Sequence, residues 1–277
     1  MALPASSTEE FRRFAESVAE RARAMSLPGF RSNLHVKFKG DASPVTEVDR
    51  NVEAMVRECI REAYPEHGVL GEEHGSSHTD AEYVWSIDPI DGTRSFVTGW
   101  PLWGTLLALL HEGQPVLGLI DMPVLDERWI GMRGASTTLN GRPCRSRQGT
   151  ALAGAVVYTT SPDAFSQAEL AVFERISRAA QNRRFGGDCY SYALLASGHI
   201  DVVIEADLKP YDYLALAPVI EAAGGVITDW EGHSLGMHSG SRVIAAGSAE
   251  LHREIMGLIG KPALRDSVSP GSHPRMA

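Results

Sequence analysis

The stretch Tyr83-Val84-Trp85-Ser86-Ile87-Asp88-Pro89-Ile90-Asp91-Gly92-Thr93 sets an apolar run directly against a tight acidic turn. Residues 83–87 predict a strand. Asp88 and Asp91 follow it, three positions apart and bent around a proline. Pro89 fixes its own φ and biases Asp88 toward extended backbone, so the two carboxylates converge on one point from the strand end. Ile90 offers that point only its backbone carbonyl, an acceptable oxygen ligand for a hard cation. Gly92 lets the backbone approach closely, so the amides of Gly92 and Thr93 can receive a phosphate oxygen. An isolated Asp-Gly pair is ordinarily just a turn. The six-residue run behind a strand points instead to divalent-metal chemistry on a phosphate.

Outward from this turn, helices and strands alternate irregularly. Upstream, Phe11, Phe14, Val18, Ala22 and Met25 recur at helical spacing after a Ser7-x-x-Glu10 capping box, and Leu27-Pro28-Gly29 ends that helix. A second helix carries Val48, Val52, Met55, Val56, Cys59 and Ile60 on one face and stops before Pro65. Further strands are predicted at Val69-Leu70, Gly104–Leu110, Val116–Ile120 and Glu127–Met132, with Glu112-Gly113-Gln114 turning a hairpin. The Gly-, Ser-, Thr- and Arg-rich segment 134–149 is the expected boundary between two lobes, 1–149 and 150–262. In the second lobe, strands are expected at Ala155–Thr159, Ile200–Glu205, Val226–Thr228 and Val243–Ala246. Helices are expected through Leu170–Ala180, Tyr190–Ser197 and Tyr213–Ala223, with a last one capped by Ser248. Residues 263–277, rich in Pro, Ser and Gly, are expected to form a disordered tail. The whole pattern predicts layered α and β structure rather than a regular parallel sheet.

Composition narrows the chemistry. Hydrophobic residues make up 43% of the 277 and charged residues 22%, which suits a sizeable core and not a disordered chain. No apolar stretch approaches the roughly 20 residues that span a bilayer. The N-terminus lacks a basic segment followed by an apolar one, so a cytoplasmic protein without membrane contact is expected. Cys59, Cys144 and Cys189 are isolated, lack zinc-site spacing and fit a reducing compartment. A net charge of −9 argues against nucleic acid as a partner. An acidic protein that handles a small phosphate ester needs a cation between the two: carboxylates bind Mg²⁺, and Mg²⁺ binds phosphate.

With Phe96 after it, the run Asp88–Thr93 resembles the signature of the inositol monophosphatase superfamily of Mg²⁺-dependent, lithium-sensitive phosphatases. Gly71-Glu72-Glu73 is similar to its acidic loop and Pro44-Val45-Thr46-x-x-Asp49 to its upstream motif. Tyr211-Asp212, followed by a helix and Gly224-Gly225, is similar to its distal motif. The resemblance implies an α+β layered sandwich, αβαβα, of the inositol monophosphatase and fructose-1,6-bisphosphatase kind, and a homodimer. It implies Glu72, Asp88, the Ile90 carbonyl, Asp91 and Asp212 as ligands of two or three Mg²⁺ ions, with Li⁺ as an inhibitor. It further implies that Asp49 and Thr93, with Glu72, orient and deprotonate the attacking water in direct in-line hydrolysis, without a phosphoenzyme. The residues alone leave plainer readings open. Thr46 and Asp49 suit a capping pair for the second helix, Asp212 a helix N-cap, and Glu72-Glu73 a solvated loop pair.

Arg184-x-x-Gly187-Asp188, Ser197-Gly198-His199 and Glu205-x-x-Leu208-Lys209-Pro210-Tyr211-Asp212 resemble the histidinol-phosphate phosphatase branch, as do Pro101-Leu102-Trp103-Gly104 and Gly118–Trp129. Tyr211 stands where the inositol enzymes usually carry tryptophan. The implied reaction is hydrolysis of L-histidinol phosphate to L-histidinol and phosphate, in histidine biosynthesis. That substrate carries an ammonium and an imidazole, for which Asp188 and Glu205 supply acceptors. Asp91, Gly92, Thr93, Arg94 and Arg184 complete the expected substrate contacts. Arg184 either meets the phosphate or holds Asp188, and Arg94 either adds positive charge near the ester or is solvated. Asp188 is alternatively the N-cap before Cys189. The rival readings are a phosphatase for inositol 1-phosphate or sugar phosphates broadly, and a catalytically silent regulatory protein of the same fold. Intact Asp49, Glu72, Asp88, Asp91, Thr93 and Asp212 argue against the silent one.

Overall fold

A computed structural model describes residues 5–33, 36–38, 40 and 44–260; the tail expected at 263–277 lies outside the described residues. Helix α1 (Ala5–Ser26) begins ahead of Ser7, so Ser7 lies within the helix rather than before it. A short 3₁₀ turn at Leu27–Gly29 ends it. Two brief strands, β1 (Lys37–Phe38) and β2 (Pro44–Val45), pair antiparallel ahead of α2 (Glu47–Ala63). An eight-stranded sheet then forms from β3 (Gly68–Gly71), β4 (Ser76–Ser77), β5 (Tyr83–Asp91), β6 (Gly104–His111), β7 (Gln114–Met122), β8 (Glu127–Met132), β9 (Thr138–Leu139) and β10 (Arg142–Pro143). Its order is β10-β9-β8-β7-β6-β5-β3-β4, with only β3 and β5 parallel. A five-stranded sheet contains β11 (Val156–Thr159), β12 (Asn182–Phe185), β13 (Val202–Glu205), β14 (Val226–Asp229) and β15 (Val243–Ala246), in the order β12-β11-β13-β15-β14.

The side chains alternate between layers as strand geometry requires. Trp85, Ile87, Leu107, Leu109, Leu117 and Leu119 point to α1 and α2, where they join Phe11, Val18, Val52 and Val56. Val84, Leu106, Ala108, Leu110 and Ile120 point the other way, onto α5 (Cys189–Ala196) and α7 (Leu216–Ala222). Val203, Val243 and Ala245 of the second sheet share that cluster, so one apolar layer joins both sheets. Val157, Val202, Ile204 and Ile244 face outward onto α4 (Gln167–Ala179) and α8 (Ala249–Ile259). The result is the expected α+β sandwich with the layers αβαβα.

Three further expectations change. The strand expected over residues 83–87, now β5, does not stop at Ile87. It runs on through Asp91, with a register shift against β6 between Asp88 and Asp91, so the acidic turn is a bulged continuation of the sheet. Segment 134–149 is not plain loop, because β9 and β10 extend the sheet there, with β10 at its edge. The helix expected over Tyr213–Ala223 is split into α6 (Pro210–Tyr213) and α7. Pro218 supplies no N–H to the Leu214 carbonyl, which accounts for the break at Leu214-Ala215. Strand β12 went unpredicted because Asn182-Arg183-Arg184-Phe185 has no apolar alternation; its charges guard a sheet edge.

Glycine sets how closely α7 lies on the sheet. A Cβ on Gly118 would come within 1.9 Å of the Ala215 carbonyl oxygen, and one on Gly131 within 2.4 Å of the Pro218 oxygen and Val219 Cα. These are backbone contacts that no rotamer relieves. Gly118→Ala is expected to destabilise the fold by about 3 kcal/mol, measured as a lower urea midpoint. An unchanged midpoint would contradict this packing.

Candidate active site

The bulged end of β5 carries the acidic centre. Asp88 is 2% exposed, and one of its oxygens, Oδ1, accepts the Ile90 N–H at 3.1 Å. Asp91 accepts the Cys189 N–H, the first amide of α5, at 2.6 Å. Asp212 lies at the third position of α6 and accepts the Lys209 N–H at 2.7 Å. It is therefore the third-position member of that helix's capping box, and Lys209 holds the N-cap position. Ligand oxygens of Asp88, Asp91 and Asp212 all lie within 4.8 Å of one another. No Lys, Arg or His is ion-paired to any of the three among the described residues. A set of hard oxygen donors, with Asp88 buried and Asp91 and Asp212 half-buried, that lacks a protein cation fits a divalent ion such as Mg²⁺.

Glu72 follows β3, its N–H reaching the Ile87 carbonyl at 3.3 Å and tying the acidic loop to β5. A residue the sequence reading missed anchors that loop. Glu53 of α2, fully buried, accepts the Glu73 N–H at 2.6 Å and the His74 N–H at 3.1 Å while pairing with Arg57. A Cβ on Gly71 would lie 2.0 Å from the Glu53 carboxylate, so glycine is needed there.

Asp49 satisfies two of the open readings at once. Its Oδ2 accepts the Thr46 N–H at 3.0 Å and the Thr46 hydroxyl, completing the capping box of α2. Its Oδ1 lies 3.4 Å from the Thr93 hydroxyl, which also reaches the Ile90 carbonyl at 3.0 Å. Gly92 has φ +82°, and a Cβ there would press to 3.1 Å against both the Asp188 carboxylate and the Leu102 oxygen. Its turn opens α3 (Thr93–Thr98), and Ser95 of that helix donates to Asp188 at 3.1 Å.

A cavity of about 360 Å³ opens over this centre. Glu72, Asp91, Gly92, Thr93, Arg94, Asp188, Glu205 and Asp212 line it. Asp49, Asp88 and Ile90 are buried and not part of its wall. Arg184 is exposed on edge strand β12, away from that wall. Asp188 holds the N-cap position of α5 with φ 45°, yet its side chain caps no amide; Ser95 holds it instead. Such a backbone is strained for a non-glycine residue. Thr160 and Tyr192, both on the cavity wall, were also missed by the sequence reading; they hydrogen-bond Glu205.

Burial, then neighbouring carboxylates, push the Asp88 and Asp91 carboxyls far above the usual range. Burial raises Asp212 to about 7 and Asp188 to about 6, the latter held down by Ser95 and Arg94. Burial also raises Asp49.

Residues 7–262 match the model of the inositol monophosphatase family. The chain is 44% identical over 262 residues to a chloroplastic bifunctional phosphatase of Arabidopsis thaliana, covering 90% of this chain and 76% of that one. It is 36% identical to a histidinol-phosphatase of Chlorobaculum parvum, covering 89% and 95%. A solved inositol monophosphatase from Zymomonas mobilis superimposes with a TM-score of 0.84 at 40% identity, covering 91% of this chain and 98% of that one.

In metal-free protein the raised carboxyls fix the sign of a pH effect. The folded state binds more protons than the unfolded chain above the ordinary value of 3.8, so stability falls as pH rises toward about 7, where Asp212 loses its proton. Thermal melts in EDTA should therefore give a higher Tm at pH 5 than at pH 8. Mg²⁺ should raise Tm at pH 8 more than at pH 5. A Tm indifferent to Mg²⁺ at pH 8 would contradict a cation site here.

Proposed function

The chain belongs to the inositol monophosphatase family, and on that premise we propose that it hydrolyses L-histidinol phosphate to L-histidinol and phosphate. As a member of that family it is a metal-dependent phosphatase. The observation that carries the substrate assignment is the cavity wall beside the acidic centre. Glu205, buried, and Asp188, half-buried beside the Arg94 charge, stand there as two carboxylates with no ion pair among the described residues. A substrate bearing an ammonium and an imidazole uses both, whereas inositol presents only hydroxyls. The likeness to a histidinol-phosphatase supports the reading. The likeness to an inositol monophosphatase supports the second reading, a phosphatase for inositol 1-phosphate or sugar phosphates.

In this reading Glu72, Asp88, Asp91, Asp212 and the Ile90 carbonyl would hold Mg²⁺. When bound, Mg²⁺ supplies charge neutralisation for the ester and makes water more acidic. The chain's own residues do the rest. Thr93 Oγ1 orients the attacking water and passes a proton to Asp49 Oδ1, at 3.4 Å. The Gly92 and Thr93 amides and Arg94 receive phosphate oxygens. Arg184, exposed on β12, is not among the residues lining this cavity. Two or three Mg²⁺ ions per site, inhibition by Li⁺ and a homodimer belong to the same proposal.

Comparing kcat/KM for histidinol phosphate and inositol 1-phosphate, with and without Mg²⁺, tests it; a preference for the inositol ester would overturn the substrate assignment. Asp188→Asn is expected to cut the histidinol phosphate value about tenfold or more while a generic phosphomonoester is hydrolysed nearly as before. Equal loss on both would count against a specificity role. Asp49→Asn is expected to lower kcat about 10²-fold with little change in KM; an unaltered kcat would remove Asp49 from the proton path.

A further inference from the structure

Glu205, at the end of β13, is only 5% exposed, yet it forms part of the cavity wall. Three donors meet it. The Thr160 N–H at 2.9 Å and the Thr160 hydroxyl both reach Oε1, and the Tyr192 hydroxyl reaches Oε2 at 3.1 Å. A carboxylate offers about four acceptor positions, two on each oxygen. Oε1 is therefore filled, and Oε2 keeps one position. No Lys, Arg or His is ion-paired to Glu205 among the described residues. A buried carboxylate in this state lacks a counter-charge, and three hydrogen bonds offset only part of its desolvation.

We propose that Thr160 and Tyr192 are positioning residues that present the last acceptor of Glu205 to the cavity, and so set a preference for phosphate esters whose other end is cationic. The proposal rests on the histidinol phosphate reading above and names the residues behind its specificity.

The fold explains why these two side chains meet Glu205. Strands β11 and β13 run parallel, with Tyr158 paired to Val203. Thr160 and Glu205 each lie two residues further on, level with one another at the mouth of the sheet. Tyr192 lies one turn along α5 from Asp188. One helix thus carries a carboxylate at its start, the amide that holds Asp91, and the hydroxyl that holds Glu205. The three donors favour the charged carboxylate, and they work against burial, which pushes its carboxyl up to about 7. Removing a donor weakens the charged form and frees the side chain to turn; the loss falls on binding a cation, not on the reacting phosphate.

The test is the ratio of kcat/KM for histidinol phosphate to that for inositol 1-phosphate, in Mg²⁺-loaded wild type, Tyr192→Phe, Thr160→Val and Thr160→Ser. Tyr192→Phe and Thr160→Val each remove one hydroxyl, and each is expected to lower the ratio about tenfold, through KM rather than kcat. Thr160→Ser keeps both donors and is expected to retain the wild-type ratio, which separates lost hydrogen bonding from general disruption. A wild-type preference for histidinol phosphate that neither Tyr192→Phe nor Thr160→Val changes overturns the positioning role alone. So does a fall in Thr160→Ser as large as in Thr160→Val. A wild type that does not turn over histidinol phosphate overturns the substrate reading and this proposal with it.

Discussion

Like charges held close together inside a protein must be neutralised by protons or by a cation, and at Asp88, Asp91 and Asp212 this constraint shapes the surroundings. The three carboxylates come from separate parts of the chain: the bulged end of β5 and the short helix α6. Each is fixed by a backbone amide, from Ile90, Cys189 or Lys209. Fixing them this way keeps the oxygens converging although their charges repel. A site built so is poor at holding itself together empty and well suited to a small hard cation.

The same economy extends to the cavity wall. The first amide of α5 holds Asp91, and Asp188 stands just before it, tethered to Ser95 of α3. Gly92 makes that approach possible, since any side chain there would displace Asp188. The helix after the acidic turn and the helix after Asp188 therefore brace each other across the site. Close glycine-mediated packing of α7 on β7 and β8 fixes the middle layer. The elements that bear Asp91, Asp188 and Asp212 consequently form part of one packed unit.

Much of this was legible in the sequence because the signals are local. Pro89 and Gly92 punctuate the acidic turn within six residues, and alternating apolar residues announced most strands of both sheets. What was not legible depends on residues far apart in the chain. Glu53 reads as half of a helical Glu–Arg pair with Arg57, and nothing nearby says that its carboxylate clamps two amides some twenty positions away. Thr160 and Glu205 are 45 positions apart and meet only through the parallel register of β11 and β13. Strand β12 was hidden by its arginines, and the continuation of β5 through Asp91 by a proline that usually ends a strand. Asp49 was read as either a capping residue or a partner of Thr93; having two oxygens, it is both.

The chemistry of this site depends on a cation at the point between Asp88, Asp91 and Asp212. Crystals soaked in Mn²⁺, a heavier stand-in for Mg²⁺, allow a direct measurement by anomalous scattering. An anomalous peak bounded by these three carboxylates, and lost in Asp212→Asn, is expected. Anomalous density elsewhere, with none between the three aspartates at saturating Mn²⁺, would contradict it.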